Sequence, residues 1–246
     1  MSYKHETVKP YNEQESKSSQ IRRMFDNIAP EYDRLNHLLS LTIDKIWRKR
    51  AISCVKQYAP AHILDVATGT GDFALMLSKA LPKADITGCD ISDGMMQVAR
   101  DKCKRAGATN VKFEQEDCTA LTYAPASFDA VTISFGIRNF DNLEKSLAEC
   151  HRVLSNNGHL VIIELSTPTR FPMKQLFPIY SASIMPLMGR LLTKDRKAYN
   201  YLPASIDAFP QGEVMQKALE EAGFTDVIFK RMTGGICTMY IATKKS

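Results

Sequence analysis

The chain has 246 residues, 44% of them hydrophobic and 24% charged, which suits one sizeable soluble α/β domain without requiring a second. A formal charge of +5 is too small an excess to imply nucleic-acid binding, and no apolar stretch reaches the ~20 residues that span a bilayer. Six cysteines (Cys54, Cys89, Cys103, Cys118, Cys150 and Cys237) lie scattered without C-x-x-C spacing, which argues against a zinc site or a disulfide framework and for reduced thiols in the cytoplasm.

In chain order, residues 1–17 are polar, lack the apolar core of a signal peptide and read as a disordered tail. Residues 18–58 read as helices, with Ile21, Met24, Phe25 and Ile28 on one face and Leu38, Leu39, Ile43, Ile46 and Trp47 forming a second stripe. From residue 62 strands and helices alternate. Strand-like runs fall at 62–67, 84–90, 111–117, 128–135 and 159–165, with helical stretches DFALMLSKAL, GMMQVARDKCKRAG and NLEKSLAECHRVL between them. Alternation of this kind predicts a mostly parallel sheet covered on both faces. Residues 166–210 break the rhythm, with several prolines and no clear strand, and are expected to form a lid-like helical insertion. From Ser166 to Asn200 six basic residues stand against the single acid Asp195, a local excess suited to an anionic lipid surface, an acidic ligand or a solvated face. A helix over 213–222 follows, then two runs joined at Gly234–Gly235 that predict an antiparallel hairpin.

The first motif that carries chemistry is ILDVATGTGDFA, residues 63–74, a G-x-G-x-x-A loop after a strand and before a helix. Its candidate cofactor contacts are Asp65, Gly69, Thr70 and Gly71, with Asp90 following where a ribose-binding acid is expected. A pyrophosphate at this turn would be repelled by Asp72, whereas the sulfonium of S-adenosyl-L-methionine would be attracted. Asp117 and Ser134 end the next strands, beside the crevice expected at their carboxyl ends. A nicotinamide-dinucleotide oxidoreductase stays open as the alternative from another class, and no metal is required.

LDVATGTGD resembles the first motif of the class I methyltransferases that use S-adenosyl-L-methionine. The chain is similar in particular to the ubiquinone/menaquinone-biosynthesis C-methyltransferase family, through FDNIAPEYDRLNHLLSLTIDKIWRK (25–49), ISFGIRNFDN (133–142), HRVLSNNGHLVIIELSTP (151–168) and AYNYLPASIDAFP (198–210). It departs from the family's pattern at Asp44, where a histidine is usual, at Thr68, and at Ser155-Asn156-Asn157. The resemblance implies a Rossmann-like doubly wound seven-stranded sheet, all of residues 18–246 forming one domain, with 18–58 as a helical cap on the substrate side. It implies C-methylation of a prenylated quinol ring, with demethylmenaquinol to menaquinol as the expected reaction and a benzoquinol or dual substrate as the alternative. Carried over by position, Thr70, Asp90, Asp117, Cys118 and Ser134 would line the cofactor pocket, and Arg138 and Asn139 would face the quinol, Arg138 stabilising an oxyanion and Asn139 orienting the ring oxygen. Asp33 and His37 are alternative bases, and Tyr32 and Trp47 candidate walls of the quinone pocket. The expected partners are the quinol and no nucleic acid; peripheral contact with an anionic membrane surface and a homodimer are both compatible with the chain.

Overall fold

The structure, a computed structural model, describes residues 3–184 and 196–245, with the side chains at 35, 37–39, 182, 184 and 196–200 outside the description. Five parallel strands, β1 (His62–Val66), β2 (Asp85–Asp90), β3 (Val111–Gln115), β4 (Phe128–Ser134) and β5 (Leu154–Leu165), are completed by β6 (Thr225–Met232) and β7 (Cys237–Thr243). The sheet order is β3-β2-β1-β4-β5-β7-β6, and β7 runs antiparallel to both of its neighbours. The order reverses between β1 and β4, so a crevice opens at the carboxyl ends of those two strands.

Strand periodicity sorts the core into two layers. Leu64, Val66, Val131, Ile133, Leu160 and Ile162 face one way with Tyr240, and pack against α7 (Leu143–Val153) and α10 (Glu213–Glu221) through Leu147, Cys150, Met215 and Leu219. Ile63, Ala130, Val161 and Ile163 face the other way, against Trp47, Ala51 and Val55 of α4 (Ile43–Gln57) and Phe73 and Leu77 of α5 (Asp72–Ala80). Both layers are apolar because both faces of a parallel sheet are covered. Ser92 caps α6 (Asp93–Ala106) by accepting from Met95 N, and Asn142 caps α7 by accepting from Lys145 N.

Residues 3–17, expected to be a disordered tail, are folded. They form a short helix, α1 (Lys4–Thr7), and a loop whose amides at Tyr11 and Asn12 donate to Gln20 Oε1 on α2 (Lys17–Ile28). Val8 and Tyr11 pack on Ile21 and Met24, and Lys17, assigned above to the tail, is the first residue of α2 and is buried. Low hydrophobicity misleads here because side-chain hydrogen bonds to a distant backbone, rather than apolar burial alone, order the segment. Helix α3 (Tyr32–Leu39) then leads to α4. Within the insertion, α8 (Met173–Ile179) and α9 (Arg196–Ala208) are described, whereas 185–195, part of the expected lid, lie outside the described residues.

Candidate functional site: two cavities sharing a wall

At the switch point the glycine loop turns with Gly69 at φ 57° and Gly71 at φ 77°, both left-handed, where glycine carries no steric penalty. A Cβ on Gly71 would meet the Phe113 ring at 2.8 Å, so that glycine serves helix–sheet packing, whereas one on Gly69 would only touch the Tyr32 ring at 4.0 Å. Asp90 Oδ2 accepts from Gly69 N at 2.8 Å and its Oδ1 from Ser92 N at 2.9 Å, tying the ends of β1 and β2 together. The result is a cleft of about 900 Å³, open to solvent on one side. Gly69, Thr70, Asp90, Asp117, Cys118 and Ser134 line it, with Asn139 and Phe140 at one end and Ser18, Ile21 and Tyr32 from the N-terminal helices above. Ser134 Oγ is buried with no hydrogen-bond partner, a polar atom that a bound ligand would satisfy. Burial raises the Asp90 carboxyl above the usual carboxylate range and raises the Cys118 thiol, which touches Ser146 Oγ at 3.4 Å.

Two of the expected cofactor contacts lie elsewhere. Asp65 is beneath the loop rather than in the cleft, its oxygens accepting from Thr68 Oγ1 and Thr132 Oγ1, both at 2.7 Å. Burial pushes its carboxyl up to about 6 against those two hydroxyls. Gly71 is packed away against Phe113, as noted. The charge argument also needs correcting at Asp72. It lines the cleft, but Lys102 of α6 binds its carboxylate together with that of Asp33, and Thr70 Oγ1 donates to Asp33. A carboxylate paired with an ammonium repels a phosphate far less than an isolated one. Asp90 and Asp117 are the other expected acids that line the cleft, and Asp33, proposed as a base, is committed to a latch outside both cavities.

The second cavity, about 1220 Å³ and also open on one side, lies across the Phe135 ring from the first. Its lining is largely apolar: Leu41, Ile43, Trp47, Phe135, Leu165, Met173, Leu176 and Phe177 contribute, with Asn36, Asp44, Arg48 and Arg138 as polar points. Tyr32, Arg48 and Phe135 line both spaces. Trp47 is fixed by donating from Nε1 to Thr233 Oγ1 at 2.8 Å, and the Arg48 guanidinium lies 5.3 Å over the Phe135 ring. Asp44 accepts from Ser40 Oγ at 2.6 Å and pairs with Arg48 at 3.6 Å. His37 is on α3, but its side chain lies outside the described residues.

Arg138 and Asn139 occupy a 3₁₀ turn (Ile137–Asn139) directly after β4. The turn follows Gly136, whose Cβ would stand 2.5 Å from Ala67 Cβ, so only glycine lets the β4 loop pass over the β1 loop. Arg138 reaches the apolar cavity, whereas Asn139 lines the cofactor-side cleft, accepting on Oδ1 from Tyr201 Oη at 3.1 Å. The expectation that both face one pocket thus divides, because consecutive residues of a tight turn point apart. Glu164, at the end of β5, orients Arg138: Oε1 accepts from Arg138 Nη1 at 2.7 Å and Oε2 from its backbone N–H at 3.2 Å. Burial works against the Arg138 charge, but Glu164 together with Tyr32 and Tyr201 outweighs it and raises the group above its ordinary value, while Nε has no partner. Glu164 is a functional residue missed above; its signal was an acid inside the apolar run VIIEL. Lys102 carried no such signal.

Among the described residues, no group of His, Cys, Asp and Glu is arranged to hold a metal ion, and no helix is long and apolar enough to cross a membrane.

The fold has wide company among solved structures. It superposes on a SAM-dependent methyltransferase from Thermotoga maritima described as a possible histamine N-methyltransferase (TM-score 0.61, 20% identity, 91% of this chain and 99% of that one). It also superposes on the [4+2]-cyclase SpnF (TM-score 0.68, 15% identity, 93% and 96% covered). Sequence relatives are far closer. A demethylmenaquinone methyltransferase from Bacteroides fragilis is 54% identical over 99% of this chain and its own full length. One from Porphyromonas gingivalis is 41% identical, covering 97% and 98%. A ubiquinone/menaquinone biosynthesis C-methyltransferase from Citrifermentans bemidjiense is 42% identical, covering 93% and 97%. The model of the ubiE/COQ5 methyltransferase family matches residues 13–244, and with glycine loop, cleft and turn disposed as described, this chain belongs to that family.

Proposed function

We propose that the protein methylates a ring carbon of a prenylated naphthoquinol, converting demethylmenaquinol to menaquinol with S-adenosyl-L-methionine as the methyl donor. The observation that carries this reading is the pair of cavities: a polar cleft and a largely apolar one that share Tyr32, Arg48 and Phe135, with Arg138 lining the apolar one. The full-length relatives named for this reaction support it.

The cleft's donor set fits the cofactor. Asp90 offers a carboxylate to ribose hydroxyls, Asp117 and Cys118 sit where an adenine edge would be read, and the orphaned Ser134 Oγ awaits a polar partner. When bound, the cofactor supplies an electrophilic methyl on a positively charged sulfur. The ring carbon that gains the methyl gives up its own hydrogen as a proton, and the chain's residues set up that exchange. An aromatic carbon becomes nucleophilic when a neighbouring ring oxygen carries negative charge, and the Arg138 guanidinium, fixed by Glu164, is placed to stabilise such an oxyanion in a largely apolar space. Arg138 keeps its proton, because Glu164 and its neighbours hold it in the charged state. Trp47, Phe135 and Phe177 exclude water and hold the ring flat, and positioning of that kind contributes several kcal/mol to such reactions.

Purified protein supplied with cofactor and reduced demethylmenaquinone is expected to yield a product one methyl heavier by mass spectrometry. Arg138→Ala should lower kcat about 100- to 1000-fold with cofactor affinity kept, the scale seen when an oxyanion donor is removed. Equal turnover of a demethyl benzoquinol would identify a dual-substrate enzyme, and no turnover of either would refute the reading.

The mouth of the apolar cavity bears on the substrate's tail. Leu41 (70% exposed) lines that cavity, and Phe171 (82%) and Ile179 (63%) stand exposed on the segment that carries the lining residues Met173 and Leu176, with Arg170 and Lys174 in the same segment. We assign this rim to peripheral contact with anionic lipid, where each basic residue contributes roughly 1 kcal/mol. Co-sedimentation with phosphatidylglycerol vesicles at low salt, lost in Phe171→Asp, is the expected outcome.

A further inference from the structure

Lys17 is 3% exposed, and its ammonium donates to three backbone carbonyls: His5 at 2.7 Å, Phe140 at 3.0 Å and Arg138 at 3.3 Å. An ammonium has three donors, and here all three are used. Two of the acceptors flank Asn139 on the turn that divides the cavities. The third belongs to α1, which is itself docked by Glu6 accepting from Leu143 N at 2.9 Å. The neighbouring residues Ser18 and Ile21 of α2 cover the cleft. One side chain thus joins the cover of the cleft to the backbone that aims Arg138.

An apolar side chain would fill the same space without the cost of desolvating a cation, but it would not prescribe which carbonyls converge. The Arg138 and Phe140 carbonyls are drawn to a single point, which sets the rotation of the turn and hence the opposite directions taken by Arg138 and Asn139.

We propose that Lys17 is a positioning residue for the reaction inferred above, holding the Arg138–Asn139 turn in register with the N-terminal cover. The proposal rests on that functional reading, and the parent enzyme's own turnover separates the two. In the full chain, Lys17→Met removes every donor at similar length, and Lys17→Gln keeps two. Cofactor affinity and stoichiometry would be measured by calorimetry, kcat and KM with short-tailed demethylmenaquinol, and folding by thermal melting. The expected result for Lys17→Met is a kcat per bound cofactor at least tenfold lower, with cofactor Kd and quinol KM within threefold of the parent. Lys17→Gln should fall between the two. A kcat per bound cofactor within twofold of the parent in a folded variant would overturn the proposal. So would a loss seen only as a lower melting temperature or a smaller binding-competent fraction, which is what a purely structural staple gives. Should Lys17→Met not fold, the same criteria apply to Lys17→Gln. A parent that methylates no quinol refutes the functional reading first.

Discussion

Asp65 is buried, and only two threonine hydroxyls and the distant Arg48 favour its charge. Its carboxyl is raised by burial from an ordinary 3.8 to about 6, so the folded chain holds this proton more tightly than the unfolded one. The stabilisation this gives is complete below pH ~4 and lost as pH rises through about 6. The ionised carboxylate therefore costs on the order of 3 kcal/mol at neutral pH. Asp65→Asn should melt higher than the parent at pH 7.5, with the gap closing near pH 4; scanning calorimetry at the two pH values checks this. At Ser134 the expectation runs the other way. Ser134→Ala removes an atom with no partner in the folded chain, so stability should hold while cofactor affinity drops about 3- to 10-fold, the scale of one hydrogen bond, as read by calorimetric titration. Single residues were legible in sequence at or just beyond strand ends: Asp90 and Ser134 close β2 and β4, and Asp117 follows two residues after β3. Glu164 and Lys102 were not, because what they do depends on partners 26, 30 and 69 positions away.

Helix α3 is pinned to the glycine loop by the Lys102 ammonium between Asp33 and Asp72, all three side chains less than a third exposed. Lys102→Ala would take the ammonium from between the two carboxylates, so α3 should loosen. Faster cofactor release in stopped flow and earlier proteolytic cutting within 32–39 are the expected readouts. The β4 loop offers a second test: Gly136→Ala forces a Cβ to within 2.5 Å of Ala67 Cβ, and the displaced turn should cost about 1–3 kcal/mol in chemical denaturation. Elements whose identity follows from a period of two or 3.6 were read nearly to their ends, as at β1, β4 and α5. The N-terminal segment was misread because its order comes from Gln20 and Lys17 hydrogen bonds, which leave no periodic trace. In the insertion, α8 and α9 each carry an internal proline, which blurs the helical signal.

Across the whole molecule, one sheet with both faces covered holds two ligand spaces at its carboxyl edge, built from loops and helices far apart in sequence. Neither space belongs to one element, and so the sequence pointed to the polar cleft, whose glycine loop is local, far better than to the apolar cavity, whose lining runs from Tyr32 to Ile236. Tyr32, Arg48 and Phe135 each contact both. Ligands pressed against opposite sides of the same three side chains would share one partition, and any coupling through it is reciprocal. Whatever factor the donor applies to the acceptor's dissociation constant, the acceptor must return to the donor's. A molecule straddling the partition would meet Tyr32, Arg48 and Phe135 from both sides at once.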